Sequence, residues 1–83
     1  MPTAFVTINS ESGFMDSVLK ELKIIKGVIE AYKVYGVFDI VAKVEAENMT
    51  KLNEIVTENI RVLNKVLSTS TMIIREAIWI LTN

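Results

Sequence analysis

The chain has 83 residues, 51% hydrophobic and 23% charged, which is enough for one folded domain and too apolar for a disordered segment. Nine Lys and Arg against ten Asp and Glu leave a formal net charge of −1, without the clustered cations that neutralise a nucleic-acid backbone. Cysteine and histidine are both absent, which removes disulfides, thiolate nucleophiles and the commonest general base and transition-metal ligand.

A mean hydropathy of +0.38 is high for so short a chain. A small core cannot hide that much apolar surface, so the composition predicts an obligate homo-oligomer. The N-terminal MPTAFVTINSESG has no cationic start, and no run approaches the roughly 20 apolar residues of a membrane span. The expectation is a cytoplasmic protein with no membrane partner, folded as one domain over residues 1–83.

Ala4 to Ile8 reads as a first strand, followed by the loop NSESG. Ser12 is the expected N-cap of a helix with Asp16 in its first turn. Phe14, Met15, Val18, Leu19, Leu22 and Ile25 form its apolar stripe, and Gly27 is the expected stop. Val28 to Tyr35 is a second strand, and Gly36-Val37 marks a tight turn into a third, Phe38 to about Ala46. In that third strand Phe38, Ile40, Ala42 and Val44 share one face, and Asp39, Val41, Lys43 and Glu45 the other. Asn48 caps a second helix with the stripe Met49, Leu52, Ile55, Val56, Ile60 and Leu63. Val66 to Arg75 is a fourth strand, and AIWIL at 77–81 an extended continuation packed on the body or on a partner.

This order, βαββαβ, predicts an α+β ferredoxin-like sandwich: an antiparallel four-stranded sheet with both helices on one face. The other face is left bare, with Val41, Ile73 and several threonines available, so the protein is expected to dimerise through the sheet.

The sharpest candidate site is Gly36-Val37-Phe38-Asp39. Hairpin chemistry accounts for it at the lowest cost, with Gly at positive φ and Asp accepting a backbone hydrogen bond. Against that, Asp is disfavoured within a strand, and alternation aims Asp39 away from the helix-covered face. A carboxylate there needs a partner, expected to be a neighbouring subunit's lysine or a ligand ammonium. Ser68-Thr69-Ser70-Thr71 offers uncharged donors and acceptors suited to a carboxylate, although threonines also simply favour strands. Trp79, Tyr32 and Tyr35 read as interface aromatics, and Arg61 and Arg75 as surface ion-pair residues. No catalytic, metal or cofactor site emerges. Acylphosphatases share the expected fold and size but need an arginine in an N-terminal phosphate loop, and none precedes Arg61 here. Asp39 without a base, a nucleophile or a metal is no catalytic centre.

The run KGVIEAYKVYGVFDIVAKVEAENMTKLNEIV resembles the ligand-binding (RAM, regulation of amino acid metabolism) domain of the leucine-responsive regulatory protein/AsnC family. The likeness rests on Gly27-Val28, on Gly36-Val37-Phe38-Asp39, and on Val66 with Thr69-Ser70-Thr71. It implies dimers built by facing sheets, further assembly, and an amino acid or related effector bound between dimers. Tyr35, Gly36, Val37, Phe38 and Asp39 would contribute to that site, with Ser68, Thr69, Ser70, Thr71 and Met72 beside them. The family's helix-turn-helix is missing, so the resemblance implies a stand-alone effector-binding domain that acts with full-length regulators or on amino-acid metabolism. Lys65 stands where the family usually has Gly. A purely structural assembly module with no ligand is the alternative.

Overall fold

The computed structural model describes residues 1–78, 80 and 81. Its elements are β1 (Thr3–Ser10), α1 (Met15–Lys23), β2 (Val28–Lys33), β3 (Ile40–Glu45), α2 (Met49–Glu54) and β4 (Val66–Ile73). A π-helical turn, Ile55–Ile60, continues α2. The strands form one sheet in the order β2-β3-β1-β4, and each neighbouring pair is antiparallel. This is the ferredoxin-like arrangement that the order of elements predicts. Among the described residues no helix is long and apolar enough to cross a membrane.

Alternation on the two central strands places the core. Ala4, Val6 and Ile8 of β1 and Ile40, Ala42 and Val44 of β3 are buried with no residual exposure. Against them pack Val18 and Leu22 of α1, Leu52 of α2, and Val56 and Ile60 of the π turn, so both helices cover the same face. Removing each valine, leucine or isoleucine side chain among them from water contributes about 1.5–3 kcal/mol, which makes this face the main source of stability. The sequence from Leu52 to Ile60 also explains the π turn. At 3.6 residues per turn, each four-residue step overshoots the apolar stripe by about 40°. A wider turn, closed by the Arg61 N–H donating to Val56 O at 2.9 Å, rotates less per residue and brings Ile60 back to the core.

Several boundaries depart from expectation. Ser12 does not cap α1: the N-cap position is Phe14, with no side-chain cap, because a turn closed by Phe14 N–H to Glu11 O at 3.0 Å places Ser12 inside it. The helix ends at Lys23 rather than at Gly27. Gly27 instead opens β2 at φ +102°, where an added Cβ would lie 2.5 Å from Ile55 Cδ1. Asn48 does cap α2, accepting from Lys51 N–H at 2.9 Å. The link between β2 and β3 is a loop over 34–39 rather than a two-residue turn. β4 ends at Ile73, two residues short of Arg75.

The bare face also differs in its β4 residues. Ile73 pairs with Ala4, and Thr71 with Val6, so both lie on the helix side. The uncovered face carries the rows Tyr32–Val41–Thr7–Ser70 and Glu30–Lys43–Phe5–Met72. Beyond β4, Ile78, Ile80 and Leu81 are exposed, so they do not pack on their own chain's body. Trp79, assigned above to an interface, lies outside the described residues.

Candidate functional site

Asp39 sits one residue before β3, and its local role follows from where β1 ends. Its backbone N–H donates to Ile8 O at 3.0 Å, and its carbonyl accepts from Val34 N–H at 3.0 Å. Its carboxylate Oδ2 accepts from the Ser10 N–H at 2.9 Å. Ser10 is buried beside the bulge where β1 slips against β4, so its N–H needs an acceptor that the sheet does not supply. A main-chain N–H thus already engages one oxygen of the carboxylate, as hairpin chemistry expects. Oδ1 accepts no hydrogen bond among the described residues and is the side left for anything further.

The rest of the 35–39 segment is displayed rather than packed. Gly36 has φ +138°, with open space where a side chain would stand, which is turn chemistry. Tyr35 and Val37 are exposed, and Phe38 is 37% exposed at the rim of the helix-covered side. A loop that keeps two large apolar residues and an aromatic rim in water has surface to offer a partner.

The second set, Ser68 to Met72, starts at the same end of the sheet. Ser68 pairs with Asn9, whose Nδ2 donates to Ser68 Oγ at 3.4 Å, and Thr69 pairs with Ile8. The early part of β4 thus lies across β1 from Asp39. The set does not act as one surface, however. Ser68, Ser70 and Met72 lie on the bare face, and Thr69 and Thr71 on the helix side; Met72 pairs with Phe5 near the far end of β1. Thr7, on the bare face, is nevertheless buried and donates to Ser70 O at 3.3 Å.

Sequence reasoning missed Arg61 as a neighbour of this set. Arg61 lines a cleft of about 270 Å³ with Val66, Leu67, Ser68 and Thr69. The signal lay in its position just past the last core residue of the second helix, Ile60. Lys65 has a definite role as well. Its Nζ stands 4.2 Å from the centre of the Phe14 ring and 3.5 Å from Glu11 Oε2, tying the loop after β1 to the entry of β4. Among the described residues no cluster of three or more acids could hold a metal.

A two-layer α+β sandwich with one open sheet face and a displayed β2–β3 loop is an architecture with surface free for binding or assembly. The family model described as the Lrp/AsnC ligand binding domain matches residues 3–80, and the chain belongs to that family. It is similar to FFRP-DM1, whose crystal structure it matches at 38% identity and a TM-score of 0.86, covering 89% of this chain and 99% of that one. Escherichia coli AsnC matches at 25% identity and a TM-score of 0.89, with 99% of this chain covering 56% of AsnC. The homocitrate synthase of Sulfurisphaera tokodaii is 38% identical over 72 residues, 86% of this chain. The chain spans 15% of the length of that enzyme. One module thus recurs as nearly all of one protein, as about half of another and as a small part of a third.

Proposed function

We propose that the chain is an oligomeric amino-acid-sensing module, assembled through its bare sheet face and bound to its effector by residues 35–39 and 68–72. The observation that carries this reading is the family match over residues 3–80, because the family is one of ligand-binding domains. Asp39 Oδ1 meets the effector's ammonium, while backbone N–H groups around Gly36 and the Ser68 and Ser70 hydroxyls meet its carboxylate. Thr69, Thr71 and Met72 shape the site from neighbouring copies. The module acts in the cytoplasm by ligand-linked assembly, on regulators that carry their own DNA-reading domain or on an enzyme. It catalyses nothing itself, as its similarity to homocitrate synthase is confined to a small part of that enzyme.

A second reading is a structural assembly module with no ligand, favoured by the internal use of the Asp39 carboxylate. One experiment separates the two. A panel of amino acids in a thermal-shift assay raises the melting temperature for a specific ligand; at about 100-fold its Kd the stabilisation is roughly 2.7 kcal/mol. Asp39→Ala abolishes that response. It also costs about 1–3 kcal/mol without ligand, because the buried Ser10 N–H loses its acceptor. If the variant loses stability yet keeps an unchanged ligand shift, Asp39 is a strand-end cap alone and the site assignment fails.

A further inference from the structure

At the opposite end of β3, about 20 Å from Asp39 by strand length, lies an open concavity with a partly apolar lining. It is a cleft of about 540 Å³ between the start of β2, the end of β3 and the second helix. Its floor is apolar, made by Ile29, Ala46 and Ile55. Its rim carries Lys26 and Lys51 together with Glu47 and Glu54, and the Glu45 backbone borders it. We infer that this cleft is a second small-molecule site, separate from the 35–39 segment, which takes a zwitterion with an apolar tail: an α-amino acid with an aliphatic side chain.

Three observations converge on it. The rim charges do not satisfy one another. Lys51 and Glu54 are three residues apart on α2, close enough to meet, yet no ion pair within 4.0 Å joins any of the four rim residues among the described residues. Cations and anions held apart around an apolar floor are complementary to a molecule carrying both charges on one end. The backbone beside the floor is also pinned by sequence. Gly27 lines the cleft, and any side chain there would run into Ile55 and close on Glu45 O at 3.1 Å. Finally, Ile55 and Asn59 reach the cleft from the π-helical turn, a rare geometry that concentrates at functional sites. The volume falls in the range of small-molecule sites, with the mostly apolar lining and few convergent polar groups that such sites have.

This site stands whether or not the first one binds, and residue-resolved titration tells them apart. Amide chemical shifts are followed on the whole chain during addition of L-leucine, L-isoleucine, L-valine or L-methionine to millimolar concentration. At least one of them is expected to move Gly27, Ala46, Glu47, Ile55 and Asn59. Leucinamide and 4-methylpentanoate, each lacking one charge, bind at least about tenfold more weakly than leucine. Lys51→Ala and Glu54→Ala, both at exposed side chains, each weaken binding about tenfold and leave the spectrum otherwise folded. Movement confined to Gly36–Asp39 and Ser68–Thr71 supports the first site and overturns this one. Movement at the cleft that survives both substitutions, or that leucinamide reproduces at equal affinity, overturns the zwitterion assignment.

Discussion

The two faces of the sheet are made by the same strands and obey different rules. On the helix side, β1 and β3 present Ala4, Val6, Ile8, Ile40, Ala42 and Val44, apolar throughout and fully buried. On the other side the same strands present Thr3, Phe5, Thr7, Val41, Lys43 and Glu45, a mixture of apolar, hydroxyl and charged groups. A face with Glu30 opposite Lys43 and Phe5 opposite Met72 has cross-strand partners of its own and tolerates water. It is also apolar enough at Val41, Phe5 and Tyr32 to be buried again when a like face meets it. The lesson is a division of labour: one face decides whether the chain folds, and the other, on the assembly proposed above, decides what it joins.

The largest effect belongs to the covered face. Leu22→Ala removes a side chain with no exposed surface from the middle of the core. It is expected to cost about 2–5 kcal/mol in urea denaturation, while any protein that remains folded keeps its assembly. The bare face behaves oppositely. Val41→Lys puts a cation in the centre of the row Tyr32–Val41–Thr7–Ser70, where a facing copy would have to bury it. Circular dichroism should retain the α+β signature while sedimentation shifts to the mass of one chain. An oligomer that survives this change is not assembled through the sheet.

That contrast was readable in part before any coordinates. The core stripe of both helices, the Asn48 cap and the alternation through Ile40, Ala42 and Val44 are local properties, set by 3.6- and two-residue periods that the sequence carries openly. The errors arise where a distant strand decides. The expectation that Ile73 lies on the bare face fails because β4, with four hydroxyls in a row, has no alternation of its own. Its register is imposed by β1, through pairing with Ala4. That Asp39 accepts a backbone hydrogen bond follows from hairpin chemistry, but that its donor is the N–H of Ser10, 29 residues upstream, does not. Main-chain donors have no signature in sequence. The charged cleft was equally invisible, since Gly27, Glu45 and Ile55 come together only through the crossover. Gly27, read as a helix stop, was recognised as special for the wrong reason.

The smallest expected effect lies at the edge of the covered face, where an ion pair stands in for apolar packing. Lys33 shares its row with Ile40 and Ile8, and its Nζ reaches Asp16 Oδ1 in the first turn of α1 at 2.8 Å. The hydrogen bond from Lys33, and then its charge, hold the Asp16 carboxyl below the ordinary aspartate range. The same hydrogen bond and charge raise Lys33. A depressed carboxyl contributes stability above its unfolded pKa and loses it as pH falls through the lower folded value. A raised ammonium contributes below its unfolded pKa and loses it as pH rises through the higher one. The pair therefore stabilises across the neutral range and fades at both acid and alkaline ends. Both side chains are exposed, 51% and 82%, so solvent screening keeps the contribution small. Lys33→Ala should melt slightly lower than the wild type at neutral pH. The gap should shrink with added salt and close below the aspartate range. A gap that persists in acid would mean that the lysine stem, packed along the edge of the covered face, does the stabilising and its charge does not.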